Sequence, residues 1–232
     1  MTTWVLDLDG VVWLGKTAIP GASEAVARLR SAGLDVAFCT NNSSRPIGDY
    51  EAKLERFGIE AADAVVSSAT AVAGLVAEGE RALVCAGPGV VEALVEAGAS
   101  VALAADEPEG PFDAVVVGFH PTFDYRSMRS AMRAVLGGAR LLATNNDPIY
   151  PSDDGPAPGC GSILASIERS TGTEAVLAGK PTSIMASVVR DRFGDDGVFV
   201  GDSLTTDGAM ATELGWPFGL VLSGNVGAAD VP

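Results

Sequence analysis

The chain has 232 residues, of which 47% are hydrophobic and 19% charged, so it is long enough to bury a full core. Its formal net charge of -15 argues against a nucleic-acid-binding surface, because phosphate contacts need clustered basic residues that the chain does not supply. No apolar run approaches the roughly 20 residues of a membrane-spanning helix, and three cysteines without a CxxC pair fit the reducing cytoplasm.

Strands and helices alternate along the first third of the chain, which is typical of a parallel sheet covered by helices. The apolar and helical periodicities predict a strand over 4–9, a helix over 21–33, a strand over 34–40 and helices over 45–58 and 69–79. Pro46 falls in the first turn of one helix, and Gly58 follows its last turn.

A second, self-contained alternation begins near Arg81, so we expect an inserted domain. Its predicted elements are strands over 82–87, 100–104, 113–120 and 139–145 and helices over 90–98, 125–138 and 162–172. The first pattern then returns as a helix over 182–193 and strands over 197–202 and 218–224. We expect a core formed by 1–79 and 176–232, interrupted by an insertion at 80–175.

Residues 145–161 are rich in proline, glycine and aspartate, and no structural period repeats within them. This composition predicts a long loop, and loops of this length inside compact domains are usually functional.

Four short motifs stand where predicted strands end, which is where open parallel sheets place their ligands. They are DLDG (7–10), CTNNSS (39–44), GKP (179–181) and GDSLTTD (201–207). Together they supply several carboxylates, a hydroxyl, amide donors and one of only three lysines in the chain.

Converging carboxylates repel one another unless a hard dication lies among them. We therefore expect Mg²⁺ bound by Asp7, Asp202 and the carbonyl of Asp9. With the metal bound, Asp7 suits the role of a carboxylate nucleophile toward phosphorus, which would give an aspartyl-phosphate. Asp9 suits the acid that protonates the leaving oxygen and later activates water, and Gly10 permits the sharp turn after it.

Two further motifs suit a phosphoryl group. Thr40 and Asn41 offer a hydroxyl and an amide at the end of a strand, and both groups bind phosphate oxygens. Lys180 would neutralise the negative charge that develops during the reaction.

These motifs resemble the haloacid dehalogenase superfamily in order and character. The phrases DLDGVVW, TNNSS, ATNND, GxGS and GKP look like its subfamily IIA, the NagD-like phosphatases, and the resemblance covers essentially the whole chain. It implies an α/β fold with a Rossmann-like core and parallel sheet, plus a large inserted α/β cap domain. It also implies that Asp207 is the second acid of the last motif, supporting the site through water or by orienting its neighbours.

Three residues are weaker substrate candidates. His120 is the last residue of a predicted strand, and Asp153 and Cys160 lie in the long loop that faces the cap and core in this family. The alternative is that His120 is a strand-end group with a satisfied hydrogen bond, and that the loop residues are solvated.

The function that these features predict is a Mg²⁺-dependent phosphatase acting on small phosphorylated metabolites. The sequence does not choose among the possible substrates, which are phosphoglycolate, glycerol phosphate, a nucleotide, a sugar phosphate and p-nitrophenyl phosphate. A homodimer is a possible oligomeric state. The alternatives are a phosphotransferase or phosphomutase, and a phosphorylated receiver-type switch. Receivers place adjacent acids on the first strand, whereas Leu8 separates Asp7 from Asp9 here.

Overall fold

The computed structural model describes residues 2–152 and 155–224, and for Pro151 and Ser152 the backbone alone. The strands are, in chain order, β1 (Thr3–Leu6), β2 (Trp13–Leu14), β3 (Thr17–Ala18), β4 (Asp35–Thr40), β5 (Val65–Ser67), β6 (Arg81–Cys85), β7 (Ser100–Leu103), β8 (Ala114–Val117), β9 (Arg140–Ala143), β10 (Ile149–Ser152), β11 (Gly155–Pro158), β12 (Val176–Leu177), β13 (Gly197–Gly201) and β14 (Phe218–Leu220).

Helices alternate with these strands, as predicted. They are α1 (Ala22–Ser31), α2 (Ile47–Arg56), α3 (Ser68–Ala73), α4 (Pro88–Glu96), α5 (Tyr125–Leu136), α6 (Cys160–Thr171), α7 (Ser183–Phe193) and α8 (Ala209–Leu214), with a 3₁₀ turn at Ala104–Asp106 and a π-helical turn at Leu204–Gly208. None of the helices among the described residues is long and apolar enough to cross a bilayer.

The chain divides into two compact units. The first unit contains 1–40, 47–66 and 180–232, and the second contains 41–46 and 67–179. The second unit therefore includes residues on both sides of the predicted insertion at 80–175. That the insertion begins and ends at those two positions stays a prediction.

The first unit is built on a five-stranded sheet with the order β14-β13-β1-β4-β5. Its central strand β1 is parallel to both β13 and β4, with Leu6 opposite Val200 and Phe38. Apolar side chains of this sheet and of the helices beside it form a core, since burying them is the main favourable contribution to folding. One cluster of this core consists of Leu6, Leu8, Val11, Val12, Trp13, Val26, Val36, Phe38, Tyr50, Leu54, Ile59, Ala61 and Val65.

The second unit has its own five-stranded sheet, with the order β12-β9-β8-β6-β7 and parallel pairing throughout. All four residues of its central strand β8 are fully buried, as a strand with both faces covered must be. Parallel sheets of this kind, alternating with helices in both units, confirm the predicted α/β fold class.

The prediction of a loop over 145–161 is wrong in its middle part. β10 and β11 form an antiparallel hairpin there, with Ile149 opposite Pro158, and α6 begins at Cys160. The prolines argued against strands here, because a proline has no N–H to donate and is rare in the central strands of a sheet. In the two-stranded sheet of β10 and β11 each strand is an edge strand, where proline is tolerated.

Two smaller differences concern short elements. The helix predicted over 69–79 is only α3, since Gly74 follows its last residue and a capping box of Ser67 and Thr70 fixes its start. The hairpin of β2 and β3, which follows the DLDG motif, was not predicted because two-residue strands carry no readable alternation.

Candidate active site

Three parallel strands of the first unit deliver their following residues to one edge of the sheet. Asp7 comes directly after β1, Thr40 is the last residue of β4, and Asp202 comes directly after β13. Because β1 pairs in register with both neighbours, the sequence-predicted residues at these three strand ends lie side by side.

Lys180 is held in the first unit by three oxygen atoms. Its Nζ donates to Asp7 Oδ1 at 2.8 Å, to Asp207 Oδ1 at 2.7 Å and to the carbonyl oxygen of Cys39 at 3.1 Å. An ammonium group has three N–H donors, so these partners satisfy all of them. Only 1% of the side chain is exposed, and a buried charge of this kind persists only when it is paired.

Asp207 is fixed from its other side by the backbone. Its Oδ2 accepts hydrogen bonds from the N–H groups of Asp202 and Ser203, each at 3.1 Å. The π-helical turn that contains Asp207 brings it back over the end of β13, where a Cβ on Gly201 would overlap its carboxylate. The turn therefore sets the carboxylate's position and, through it, that of Lys180.

Asp7, Asp202 and Asp207 form one cluster in which a carboxylate oxygen of each lies within 4.8 Å of the others. All three are buried, and Lys180 forms ion pairs with two of them, Asp7 and Asp207. Oxygen donors with an excess of negative charge suit a hard dication such as Mg²⁺. The donor set therefore fits the predicted ion, and Asp207 adds a third carboxylate that was not predicted as a ligand.

Gly10 leaves room for this cluster. Its φ of 85° is in the left-handed region, and a Cβ there would overlap the Asp202 carboxylate. The same is true of a Cβ on Gly224. Both glycines are therefore required for the close approach of the backbone to Asp202.

Burial is the largest single influence on the pKa values of Asp7, Lys180 and Cys39. It raises the pKa of Asp7 well above the usual value, with Lys180 opposing and Asp207 adding to the rise. Burial also works against the charged form of Lys180, but Asp207 and Asp7 outweigh it and hold its pKa well above the usual value. The buried thiol of Cys39 has a pKa of about 12 for the same reason of desolvation.

Asp9 is half-buried, and its side chain is not part of the carboxylate cluster. Its Oδ1 accepts a hydrogen bond from the indole Nε1 of Trp13 at 2.9 Å. Trp13 belongs to the DLDGVVW stretch, but no role could be predicted for it, because nothing in the spacing indicates where an indole N–H points.

Of the two predicted phosphate-binding residues, Thr40 is buried in the first unit and Asn41 belongs to the second. Within the second unit, Asn41 Nδ2 donates to Asp147 Oδ2 at 3.1 Å, and its carbonyl accepts from Asn145 Nδ2 at 2.8 Å. The ATNND phrase was the available signal for Asp147 and Asn145, since it supplies polar groups at a strand end.

The weaker candidates that the structure describes lie in the second unit. His120 Nδ1 lies 3.2 Å from Thr122 Oγ1, its Nε2 is buried with no hydrogen-bond partner among the described residues, and burial lowers its pKa. Cys160 is buried at the start of α6, 3.5 Å from Thr144 Oγ1, and burial raises the pKa of its thiol. Asp153 lies outside the described residues.

Two family models match the chain. One, described as haloacid dehalogenase-like hydrolase, matches residues 4–100, and one described as HAD-hydrolase-like matches residues 177–232. The two ranges contain Asp7, Thr40, Lys180, Asp202 and Asp207, which are the residues of the strand-end site.

Proteins similar along nearly the whole chain carry phosphatase names. Glycerol-3-phosphate phosphatase of Gallus gallus is 34% identical, with 96% of this chain and 80% of that protein covered. The p-nitrophenyl phosphatase structure from Archaeoglobus fulgidus has a TM-score of 0.90 and 31% identity, covering 99% of this chain and 89% of that one.

A third similar protein was solved with a metal. It is the glycerol phosphate phosphatase of Mycobacterium tuberculosis in complex with magnesium, with a TM-score of 0.87 and 31% identity. The match covers 96% of this chain and 68% of that one.

Proposed function

This chain belongs to the haloacid dehalogenase-like hydrolases, subfamily IIA, and from that premise we propose that it hydrolyses small phosphomonoesters through an aspartyl-phosphate. The family and the phosphatase class that the sequence predicted are confirmed by the comparisons. The residue roles, the covalent intermediate and the substrate are the parts that we propose.

The observation that carries the proposal is the buried arrangement of Asp7, Lys180, Asp202 and Asp207. One carboxylate directly follows the central strand, its ammonium partner touches it at 2.8 Å, and two further carboxylates complete an oxygen-donor set. Such a set supports attack by a carboxylate on an anionic phosphorus centre, where opposite charge is needed.

In the first half of the reaction, a carboxylate oxygen of Asp7 forms a bond to phosphorus as the bond to the leaving oxygen breaks. The carboxyl group of Asp9 gives its proton to that oxygen, so the alcohol leaves neutral. Lys180 stabilises the charge on the transferring group. Mg²⁺, bound by Asp7 and Asp202, would neutralise phosphate oxygens and keep the carboxylates ionised.

In the second half, the Asp9 carboxylate takes a proton from water as the water oxygen bonds to phosphorus. The bond between phosphorus and Asp7 breaks, which releases inorganic phosphate and restores both carboxyl groups to their starting states. Thr40 and Asn41, consecutive in the chain, donate to the phosphate oxygens in both steps.

We assign residues 80–175 as the inserted cap, which in this family shapes the pocket for the leaving group. Glycerol phosphate and p-nitrophenyl phosphate are the substrates that the similar proteins' names support. A cytoplasmic location is part of the proposal, because Cys39, Cys85 and Cys160 are free thiols, as a reducing compartment keeps them.

The test is phosphate release by the purified chain from a panel of phosphorylated metabolites that includes glycerol 3-phosphate and p-nitrophenyl phosphate, with Mg²⁺ present. We expect turnover that EDTA abolishes and added Mg²⁺ restores. Turnover that is indifferent to EDTA would contradict the metal assignment. Transfer of phosphate to an added alcohol, with no free phosphate formed, would favour the phosphotransferase alternative.

A further inference from the structure

We propose that Trp13 is a positioning residue that holds the side chain of Asp9 in the orientation needed for proton transfer. The inference rests on the proposed function, in which Asp9 is the acid and the base. Trp13 itself touches neither substrate nor metal in this proposal and acts only through Asp9.

The contact that carries the inference is a hydrogen bond inside the first unit. Trp13 Nε1 donates to Asp9 Oδ1 at 2.9 Å, and the tryptophan is only 1% exposed. A buried indole N–H without a partner is costly, so this bond is strongly favoured over alternatives in which the two side chains separate.

The backbone between the two residues is equally constrained. Gly10 N donates to the Trp13 carbonyl at 2.7 Å, and Trp13 N donates to the Leu8 carbonyl at 3.2 Å. These bonds close a tight turn of the chain between Asp9 and Trp13, so the two side chains stay on the same side of it.

The indole ring is also held by α2 and by the residue that follows it. Lys53 Nζ lies 3.7 Å from the ring centroid of Trp13 and donates to the Gly15 carbonyl at 2.8 Å. The ring of Phe57 is tilted against the indole, with centroids 6.1 Å apart. A cation over the face of an indole is attractive, so Lys53 fixes the plane of the ring and thereby the direction of its N–H.

The hydrogen bond also distinguishes the two oxygens of Asp9. Because Oδ1 accepts from the indole N–H, we assign proton transfer to the other oxygen, Oδ2. The hydrogen bond from the indole N–H therefore restricts rotation of the Asp9 carboxyl group. It directs Oδ2 toward the leaving oxygen, to which the proton is transferred. A general acid contributes only when it is within hydrogen-bond reach of the oxygen that it protonates.

A comparison of two substrates tests this role in the variant Trp13→Phe, which keeps an aromatic ring but lacks the N–H. The alkoxide leaving from glycerol 3-phosphate is strongly basic and needs a proton, whereas p-nitrophenolate leaves with little help. We expect kcat/KM for glycerol 3-phosphate to fall about 10- to 100-fold and that for p-nitrophenyl phosphate to fall about threefold or less. Since kcat/KM reports the steps up to phosphoryl transfer, the later hydrolysis does not obscure the comparison.

The matched control is Trp216→Phe. Trp216 is also buried in the first unit, and its Nε1 donates to the Asp195 carbonyl at 2.8 Å, away from Asp9. We expect this variant to change kcat/KM for both substrates by the same factor. Thermal melts of both variants show whether each remains folded.

If Trp13→Phe does not fold, the variant Lys53→Met tests the positioning role of Trp13 instead. It leaves the indole in place but removes the cation above the ring. We then expect a loss of about threefold for glycerol 3-phosphate alone. An equal loss on both substrates, or no loss on either, would overturn the role of Trp13 and leave the phosphatase intact. A wild-type chain that releases phosphate from no member of the metabolite panel, these two substrates included, would overturn the proposed function instead.

Discussion

Lys180 shows how single residues define this site, because a buried ammonium group must be matched by nearby acceptors. Two carboxylates and a carbonyl supply them, and the same contacts hold Asp7 and Asp207 in place. Truncating one of these side chains takes an acceptor or a donor from a buried charge, whereas a substitution of the same shape can keep the hydrogen bond.

Asp7→Asn conserves shape and removes the proposed nucleophile. We expect phosphate release to fall by at least about 1,000-fold, because an amide cannot form the aspartyl-phosphate. The thermal midpoint should not fall, since the change removes one of three mutually repelling carboxylates while the amide oxygen still accepts from Lys180. Activity assays and melts measure the two effects.

The control for this variant is Asp35→Asn, an exposed substitution at the start of β4. It should leave activity unchanged. Near wild-type turnover by Asp7→Asn would remove Asp7 from the role of nucleophile, whatever the melt shows.

Cys39 and Cys85 are buried thiols that should resist alkylation in the folded protein. Burial raises the pKa of Cys39 and of Cys85 to about 12, and alkylation requires the thiolate. At pH 8 the thiolate fraction of each is therefore on the order of 1 in 10,000. We expect no labelling of either residue by iodoacetamide in the folded protein and full labelling in guanidinium, as read by mass spectrometry. Rapid labelling without denaturant would show that these side chains are accessible.

Among the helices and strands, those buried in the core of the first unit could be predicted best from the sequence. The strands that became β1, β4 and β13 and the helices between them could be predicted, because buried parallel strands read as apolar runs and helices as a 3.6-residue period. The strand-end motifs followed from the same rule, since ligands gather at the carboxyl ends of parallel strands.

What escaped prediction lacks a local signal. The hairpin of β10 and β11 is rich in proline, and the pairing that creates it is visible only when both strands are present. The hydrogen bond from Trp13 to Asp9 depends on a tight turn and on a lysine forty residues later in the chain. No residue pattern within DLDGVVW distinguishes it from a tryptophan that only fills the core.

Helix α5 begins at a carboxylate cap whose contribution to stability depends on pH. Asp124 caps it, with Oδ1 accepting from the N–H of Ser127 at 2.8 Å and from its hydroxyl at 2.9 Å. The backbone N–H lowers the pKa of Asp124, so the ionised cap stabilises the fold above the pKa of the unfolded chain and loses that effect as the pH falls through the folded value. Asp124→Asn should therefore melt below wild type at pH 7 and close to it near pH 3.

Asp124→Ala is the matched comparison, because alanine has no acceptor and should lower the thermal midpoint at every pH. A constant difference between wild type and Asp124→Asn from pH 7 to pH 3 would contradict the titration of the cap.

At the scale of the whole molecule, a net charge of -15 makes the local field of the site decisive. The chain as a whole repels an anionic substrate, so attraction must come from the few cations placed at the sheet edge. Lys180 is paired with Asp7 and Asp207, which leaves a bound dication as the main source of positive potential there.

Magnesium binding should therefore be measurable in the absence of any substrate. A ligand that binds only the folded state at about 100 times its Kd stabilises by about 2.7 kcal/mol, which for a chain of this size raises Tm by about 5 to 10 °C. We expect a rise of this order for wild type in differential scanning fluorimetry with added Mg²⁺. Asp202→Asn should lose most of it, because one carboxylate of the cluster is gone. Asp196→Asn, an exposed change beside β13, should keep the full rise; equal rises in wild type and Asp202→Asn would place the ion elsewhere.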